Sequence, residues 1–532
     1  MPIRMEDDPR DQSDYQEQPG RSSGRRAPAG GGGLMALLPV LLSLFGNRGG
    51  GKGGRGKGFL LLLLIGGAVY FVMSRGGGGS AESNPIQQLF SQSGYSFSPE
   101  EFKKASVYEG LDAGNTSNGL PEAVSLRKFA PRVMNQGQQG SCVAWSATYA
   151  ARTIVEAAST KQDPDALAYS PSFVYNQIGL EGCQGSYIQR AMDFMTDRGA
   201  VPFRSFPYDE TNCTRTPDQS LMQAASQNRM HGFTRLTDGA DINGISVRAV
   251  KEHLAKDAPV VIGMMVGGSF MDAMMGKERW QPTDDDRNQM GFGGHAMCVI
   301  GYDDRRQAFE IMNSWGTSWG KDGFAWVGYA DFKEFVREAY GIDPMPKRGV
   351  AVNEQLTGSV ALMRNDNRAY ITLRESGPGQ FETSTTVAPG TKFKIELRNN
   401  VACYVYVFGQ ETNGSSYTLF PYPDAQQPNQ SAFSPFCGIT GYRLFPRGKS
   451  LVPDAEGKAD VFAVVVSTKQ LDWFALNQQL SQQPSVDYAT RIRSALALRT
   501  DPIWELREHA MSFVAPGSED AMVAAIITVR KP

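Results

Sequence analysis

"NQGQQGSCVAWSATYAARTI" (residues 135–154) sets one cysteine, Cys142, between a turn rich in Gly and Gln and a run of small and large apolar residues free of Gly and Pro. Such a run reads as a helix that begins at or near Cys142. The positive end of the helix dipole then lies beside the thiol and favours the thiolate, which a free pKa of about 8.5 otherwise leaves scarce at neutral pH. Cys142 is thus either a small buried hydrophobe or a nucleophile, and a nucleophile needs a base.

The chain holds only four histidines. His253, in "VKEHLAKD", reads as a solvated helix residue; His509, in "WELREHAM", falls in another folding unit; His231 sits in a polar loop and stays a second candidate. His295 differs, because "GFGGHAMCVIGY" places it at the mouth of an apolar strand, after glycines that let another backbone come close. Downstream, "IMNSWGTSWGKDGFAWVGY" ends a strand at Asn313 and puts Trp315 and Trp319 in a glycine turn. An asparagine oxygen accepting from the imidazole would fix its tautomer, and a tryptophan beside that bond would keep water off it. Gln136, on the turn before Cys142, can supply a side-chain N–H and Cys142 a backbone N–H to an oxyanion.

"NQGQQGSCVAWS", "GGHAMCVIGYDD" and "NSWGTSWGKDGF" resemble the three active-site blocks of papain-like cysteine peptidases, in that family's order. His295 and Asn313 lie 153 and 171 residues beyond Cys142, somewhat longer than the family spacing of about 130–150. Between them "CQGSY" resembles the family's glycine-containing cleft edge, "FPYDETNC" its Tyr-Pro-Tyr segment, and "DAPVVIGMMV" the strand before the histidine block. The resemblance covers residues 117–345. It implies an α+β, two-lobed fold with a helical and a β-barrel-like lobe. It also implies peptide-bond hydrolysis by Cys142, His295, Asn313 and Gln136, a peptide or protein substrate, and no cofactor. Gly185 and Ser186 would clamp the substrate backbone, and Gly294 and Trp315 would flank the bond, with Val133, Met134 and Ala296 near the pocket. The family's Cys-Gly-Ser-Cys-Trp becomes Gln139-Gly140-Ser141-Cys142-Val143. Its usual disulfide partner is therefore missing, and Cys183 is either free or paired elsewhere, for instance with Cys213. No long helical pro-region precedes the peptidase, so an inhibitory propeptide is not evident.

Outside these blocks the 532-residue chain divides by composition. Residues 1–33 carry almost no large apolar side chains and read as a disordered tail. "LMALLPVLLSLF" (34–45) and "FLLLLLIGGAVYFVM" (59–73) flank a glycine-rich basic spacer within 34–58. The second run reads as a transmembrane anchor over 59–75, and the first is short of the roughly 20 residues a span needs. A signal peptide would require a small-residue cleavage site, for which "SRGGGGSAES" is a poor match. Arg48, Lys52, Arg55 and Lys57 before the run, against Arg75 after it, predict a cytoplasmic N-terminus and a catalytic domain in the periplasm or outside the cell. Residues 76–115 read as a stalk with a short helix capped by Ser98, and 116–345 as the peptidase.

After a linker at 346–357, "TKFKIELRNN", "ACYVYVFGQ", "ADVFAVVVST" and "DAMVAAIITVRKP" alternate with period two. They predict a mostly antiparallel β-sandwich over 358–532, interrupted by one helix at "SVDYATRIRSALAL". This part resembles a β-rich domain of unknown function appended to bacterial enzymes, which implies an accessory or binding role. "FPYPDAQQPNQSAFSPF" either offers aromatics to a ligand or packs as a loop. Cys403 and Cys437 are either a bridge or two buried thiols, as are Cys183 and Cys213. Lys plus Arg (53) nearly equals Asp plus Glu (55), so charge gives no support for nucleic acid as a partner. "TDDD" before Arg287 reads as a solvated loop rather than a calcium site. The alternatives to a peptidase are a transpeptidase or cell-wall peptide amidase using the same residues, or an inactive scaffold whose C-terminal domain binds.

Overall fold

The structure is a computed structural model that describes residues 2–7, 94–237, 244–289, 292–345, 355–517 and 520–532. A helix begins at Cys142, is wound with wider i→i+5 bonding over Trp145–Arg152, and returns to α geometry over Thr153–Thr160. Nearly every residue in it is buried, which is what the small and apolar run without Gly or Pro predicts. Pro171–Ile178 and Ile188–Asp197 pack beside it, the first started by Pro171 and by the Ser170 side chain accepting from the Phe173 N–H. These helices form one lobe.

The other lobe is a sheet in the order Phe233–Arg235, Val336–Ile342, Val260–Val266, Gly293–Asp303, Ala308–Met312, Phe324–Gly328, Arg279–Trp280. All its pairings are antiparallel except the last. Val260–Val266 is buried at every residue and pairs with the histidine strand in a register that sets Met264 opposite His295. Helices early and strands late make the peptidase region α+β, as the sequence predicts.

The C-terminal half is a β-sandwich. One sheet includes Thr357–Arg364, Phe393–Asn399, Lys449–Pro453, Ala510–Val514 and Ile503–Arg507; the other includes Cys403–Gln410, Ala459–Ser467, Met522–Arg530 and Gln380–Thr383. Period two is visible in the packing: Val405 and Val407 face the sandwich core, whereas Tyr406 and Phe408 face outward under helices. There are two such helices, Trp473–Ser481 and Tyr488–Ala495, where the sequence predicts one. The first starts at Asp472, whose side chain accepts from the Ala475 N–H, a cap that the polar stretch around it hides.

Two expectations need correction, and one open alternative is decided. Residues 3–7 are no disordered tail: Ile3–Asp7 is an edge strand paired with Lys449–Pro453, with Ile3 buried and both its N–H and C=O bonded to the Tyr417 hydroxyl. A short strand needs no core of its own when a sheet edge supplies one. Residues 94–115 are not a solvated stalk either. The Ser98-capped helix is present at Pro99–Lys104, but the segment around it is mostly buried between the peptidase and the sandwich. Cys403 and Cys437, finally, stand opposite one another in adjacent strands and are both unbridged buried thiols. Facing positions bring side chains close without making a bridge, whose geometry is more exacting than strand register.

The aromatics of the 420–436 loop pack on one another, Tyr422 against Phe433 and against Phe420, so the packed account holds over the ligand-facing one. "TDDD" is a helix start in which Thr283 and Asp286 cap each other and Asp286 also accepts from Ser269. Both apolar runs lie outside the described residues, and among the described residues no helix is long and apolar enough to cross a membrane. A single span at 59–75 would put the two partners of the Ile3–Asp7 pairing on opposite sides of a membrane. The strand pair and a single span therefore exclude one another.

Candidate active site

Cys142 opens its helix, and the helix start packs on the histidine strand so that the backbone of Ala296, the neighbour of His295, lies in hydrogen-bonding range of the thiol. His295 Nε2 is 2.7 Å from Asn313 Oδ1, and the same oxygen accepts from the Ser314 N–H at 2.7 Å. An oxygen held on that side requires the imidazole to carry its proton on Nε2, which leaves Nδ1 as the basic nitrogen. Nδ1 is buried and has no hydrogen-bond partner in this state. Trp315 stacks on the ring at 4.2 Å between centroids, covering the His295–Asn313 bond as the sequence predicts.

Gln136 is fixed three ways. Its backbone N–H donates to Ser314 O, its Oε1 accepts from Ser314 Oγ at 2.6 Å, and one of its two side-chain N–H groups donates to Gln139 O. Tyr208, in the "FPYDETNC" segment, donates to Gln136 O and pairs with Ser141 Oγ, both at 2.7 Å. Ser314 and Tyr208 thus set the turn that presents Cys142, and sequence reading assigned neither. The Asn-Ser pair beside Trp315 could have flagged Ser314.

The missing cysteine of the turn is replaced by hydrogen bonding. Gln139 Nε2 donates to the carbonyls of Asp209 and Glu210 at 3.2 and 3.3 Å. Cys183 is bridged to Cys213 instead, tying the cleft edge to the same loop.

The cleft is covered from outside by residues 94–96. Tyr95 bridges Ser186 in strand fashion, Ser96 N–H donates to Ser186 O at 3.0 Å, and Ser186 N–H donates to Gly94 O at 3.3 Å. The backbone edge read as a substrate clamp therefore grips this chain's own segment. Glycines make room for it: a Cβ on Gly185 (φ +92°) would lie 2.8 Å from the Gly94 backbone, and one on Gly294 would lie 2.4 Å from the Tyr95 ring. The Tyr95 side chain runs past Gly263 to donate to Glu338 Oε1 at 2.9 Å, and Tyr340 donates to the other oxygen at 2.6 Å. Glu338 forms the floor of this pocket, and nothing in "FVREAYGID" marks it as such.

The covered site is electrically quiet. Cys142 is 0% and His295 1% exposed. Burial pushes the Cys142 thiol up to about 12 and the His295 imidazole down to about 4, the latter partly offset by its bond to Asn313. Burial also raises Glu338 to about 8, so its carboxyl is mostly neutral at pH 7. The other histidines are apart from this site. His231 Nδ1 donates to Pro344 O at 3.0 Å and its ring packs on Phe436. His509 stacks on Tyr370. His253, read as solvated, is instead fully buried, its Nδ1 2.9 Å from Ala249 O and its ring against Tyr108. The charged residues around it are paired within the fold, Lys251 with Asp304 and Glu252 with Arg248, Tyr108 and the Leu111 N–H, which a helical wheel alone cannot reveal.

Residues 120–342 match the family model described as papain family cysteine protease. The chain is 29% identical over 217 residues to the cathepsin B-like CP2 of Giardia intestinalis, covering 38% of this chain and 68% of that one. To human cathepsin L2 it is 25% identical over 263 residues, 46% of this chain and 70% of that one. Among solved structures, xylellain, a cysteine protease from Xylella fastidiosa, aligns with a TM-score of 0.40 at 22% identity, over 50% of this chain and 100% of that one. Residues 120–342 of this chain are a papain-family cysteine protease domain.

Proposed function

We propose that this chain hydrolyses peptide bonds with Cys142 as nucleophile, His295 as base and then acid, Asn313 as the residue that orients the imidazole, and Gln136 as an oxyanion donor. The observation that carries the reading is the 2.7 Å His295–Asn313 bond under Trp315, on the strand against which the Cys142 helix begins. With the proton of Cys142 on His295 Nδ1, Sγ attacks the carbonyl carbon and the oxygen gains the charge that Gln136 and the Cys142 N–H stabilise. As the C–N bond breaks, the imidazolium gives its proton to the leaving amine. Water, deprotonated by the same imidazole, then releases the acid and regenerates the thiol. The pocket that holds Tyr95 over Glu338 is the place for a substrate side chain, one with an aromatic ring or a hydrogen-bonding tip.

Labelling with an epoxysuccinyl trap tests the assignment. Wild-type chain with its cleft opened should be labelled at one cysteine, and Cys142→Ala and His295→Ala should not. Equal labelling of Cys142→Ala would remove Cys142 from the mechanism.

We further infer that the folded part works outside the cytoplasm, tethered by the apolar runs. The Cys183–Cys213 disulfide favours an oxidising compartment. The Ile3–Asp7 pairing keeps residues 7 and 94 on one side of any membrane, which two crossings with the basic spacer on the cytoplasmic side would satisfy. In intact cells an impermeant maleimide should reach a cysteine at the exposed Arg4 position, Arg4→Cys, and spare Gly53→Cys; the reverse pattern overturns this topology.

A further inference from the structure

The segment that covers the cleft does not end there. After the Pro99–Lys104 helix it runs between the protease and the sandwich, and its two sides are held by different domains. From the protease, Arg235 donates its N–H to Ser106 O and accepts from the Tyr108 N–H, and Glu252 accepts from both the Tyr108 hydroxyl and the Leu111 N–H. From the sandwich come more bonds, several of them charged. Val107 N–H donates to Ala432 O at 2.6 Å, and Ser434 N–H donates to Val107 O. Arg447 donates to Tyr108 O at 2.9 Å and Arg443 to Glu109 O at 3.0 Å. Asp112 gives its N–H to Tyr442 O and receives Arg368 at 2.6 Å. Direct bonds between the domains are fewer, such as Lys256 to Thr440.

We propose that the C-terminal β-sandwich is the latch of an autoinhibited protease: it grips residues 107–112 and so keeps Tyr95 seated over Cys142, and releasing that grip opens the cleft without cutting the chain. The inference rests on the proposed function, because a latch matters only if Cys142 reacts. Residues 94–96 are held by two backbone bonds and one tyrosine. A short contact of that kind, tethered by a firmly held continuation, is strengthened by the high effective concentration that the tether imposes. Loosening the tether lowers that concentration and raises the open fraction in proportion. The same arrangement gives the sandwich a role that needs no ligand pocket of its own. The loop read as a possible ligand surface, 420–436, is one jaw of the grip through Ala432 and Ser434.

The test measures the rate at which an epoxysuccinyl trap labels Cys142 in the full chain, with chain length followed on a denaturing gel. Tyr95→Ala opens the front directly. Arg447→Ala and Arg368→Ala weaken the grip more than 10 residues away from the cleft segment, and Arg368 is partly exposed, so its removal leaves the fold in place; thermal unfolding of each variant checks this. Tyr95→Ala should label about tenfold faster or more than wild type, and the two arginine variants, each of which loses a charge-assisted bond, should label several-fold faster, all with the chain intact. If Tyr95→Ala is fast while both arginine variants stay at the wild-type rate, the cleft segment holds by itself and the latch is refuted. Wild type labelling as fast as Tyr95→Ala refutes it too, because nothing is then held closed. No labelling of Tyr95→Ala points instead to the assignment of Cys142, and the latch falls with it.

Discussion

Two surfaces meet in the cleft and differ in kind. One consists of Cys142, Gln136, His295 and Asn313, fixed by hydrogen bonds among Ser314, Tyr208, Gln139 and the backbone. The other consists of residues 94–96, which carry no base, contribute no nucleophile and fit only because Gly185, Gly263 and Gly294 leave space. Chemistry and access are thus encoded in separate stretches of chain. Substitutions on the first surface should slow the enzyme, and substitutions on the second should speed it, so the two can be pulled apart by mutation.

The largest effects belong to the first surface. In a chain opened by Tyr95→Ala, adding Cys142→Ala should abolish hydrolysis of a fluorogenic peptide. Adding His295→Ala should cost at least about 10³-fold in kcat, as removal of a residue that acts in concert with the nucleophile does. Asn313→Ala leaves the imidazole free to choose either tautomer and should cost less, about 10²-fold. An Asn313→Ala chain that keeps full activity would break the comparison, because the bond that defines this surface would then be idle.

That surface was largely legible in the sequence, and the other was not. Cys142, His295 and Asn313 each stand in a stretch whose residue types are dictated by local geometry: a helix start, a glycine-flanked strand and a glycine turn with tryptophans. Gly185 and Ser186 were named from the resemblance of "CQGSY" to the family's cleft edge rather than from local geometry. Tyr95 and Glu338 carry no such local mark. Tyr95 sits among Gly, Ser and Gln, a composition that reads as linker, and it is buried by contacts distant in sequence: Gly263 and Gly294 against its ring and Glu338 on its hydroxyl, with Gly140 and Gly185 against its neighbour Gly94. The N-terminal strand failed for the same reason, since Ile3 and Met5 have a core only when the sandwich edge is beside them. The period-two strands of the sandwich were readable because alternation is local, whereas the partner of each strand was not.

Acid should test how strongly burial holds the catalytic surface neutral. His295 and His253 both stay uncharged down to about 4 in the fold, against about 6.5 in an unfolded chain. For a base with a lowered folded pKa, protons bind the unfolded state first, so the stability is present above about pH 6.5 and is lost as pH falls toward 4. Each group contributes on the order of 3 kcal/mol to that loss. Denaturant midpoints measured from pH 7 to pH 4 should fall less steeply in His295→Ala than in wild type. Identical slopes would mean the site is already wet.

The Cys183–Cys213 bridge ties the cleft edge to the loop that Gln139 also holds, and closes 30 residues. Cys213→Ser should lower stability by about 2–4 kcal/mol, read from the denaturant midpoint. Cys403→Ser should not reproduce that loss by this route, since Cys403 and Cys437 close no loop. Equal losses would erase the contrast between the two pairs.

The smallest change sharpens the comparison most. Tyr95→Phe keeps the ring between Gly263 and Gly294 and removes only the hydroxyl that donates to Glu338. Because Glu338 is held near 8 by burial, its carboxyl is mostly neutral at pH 7, and the lost bond is one between neutral groups. Such a bond is worth about 1 kcal/mol, so trapping of Cys142 should accelerate roughly fivefold, less than in Tyr95→Ala. Above pH 8 the carboxylate accepts a stronger bond from the tyrosine, and the gap between wild type and Tyr95→Phe should widen with pH. A gap that stays constant from pH 6 to pH 9 would mean that the ring alone seats the segment, and that Glu338 serves the pocket's shape and not its hold on Tyr95.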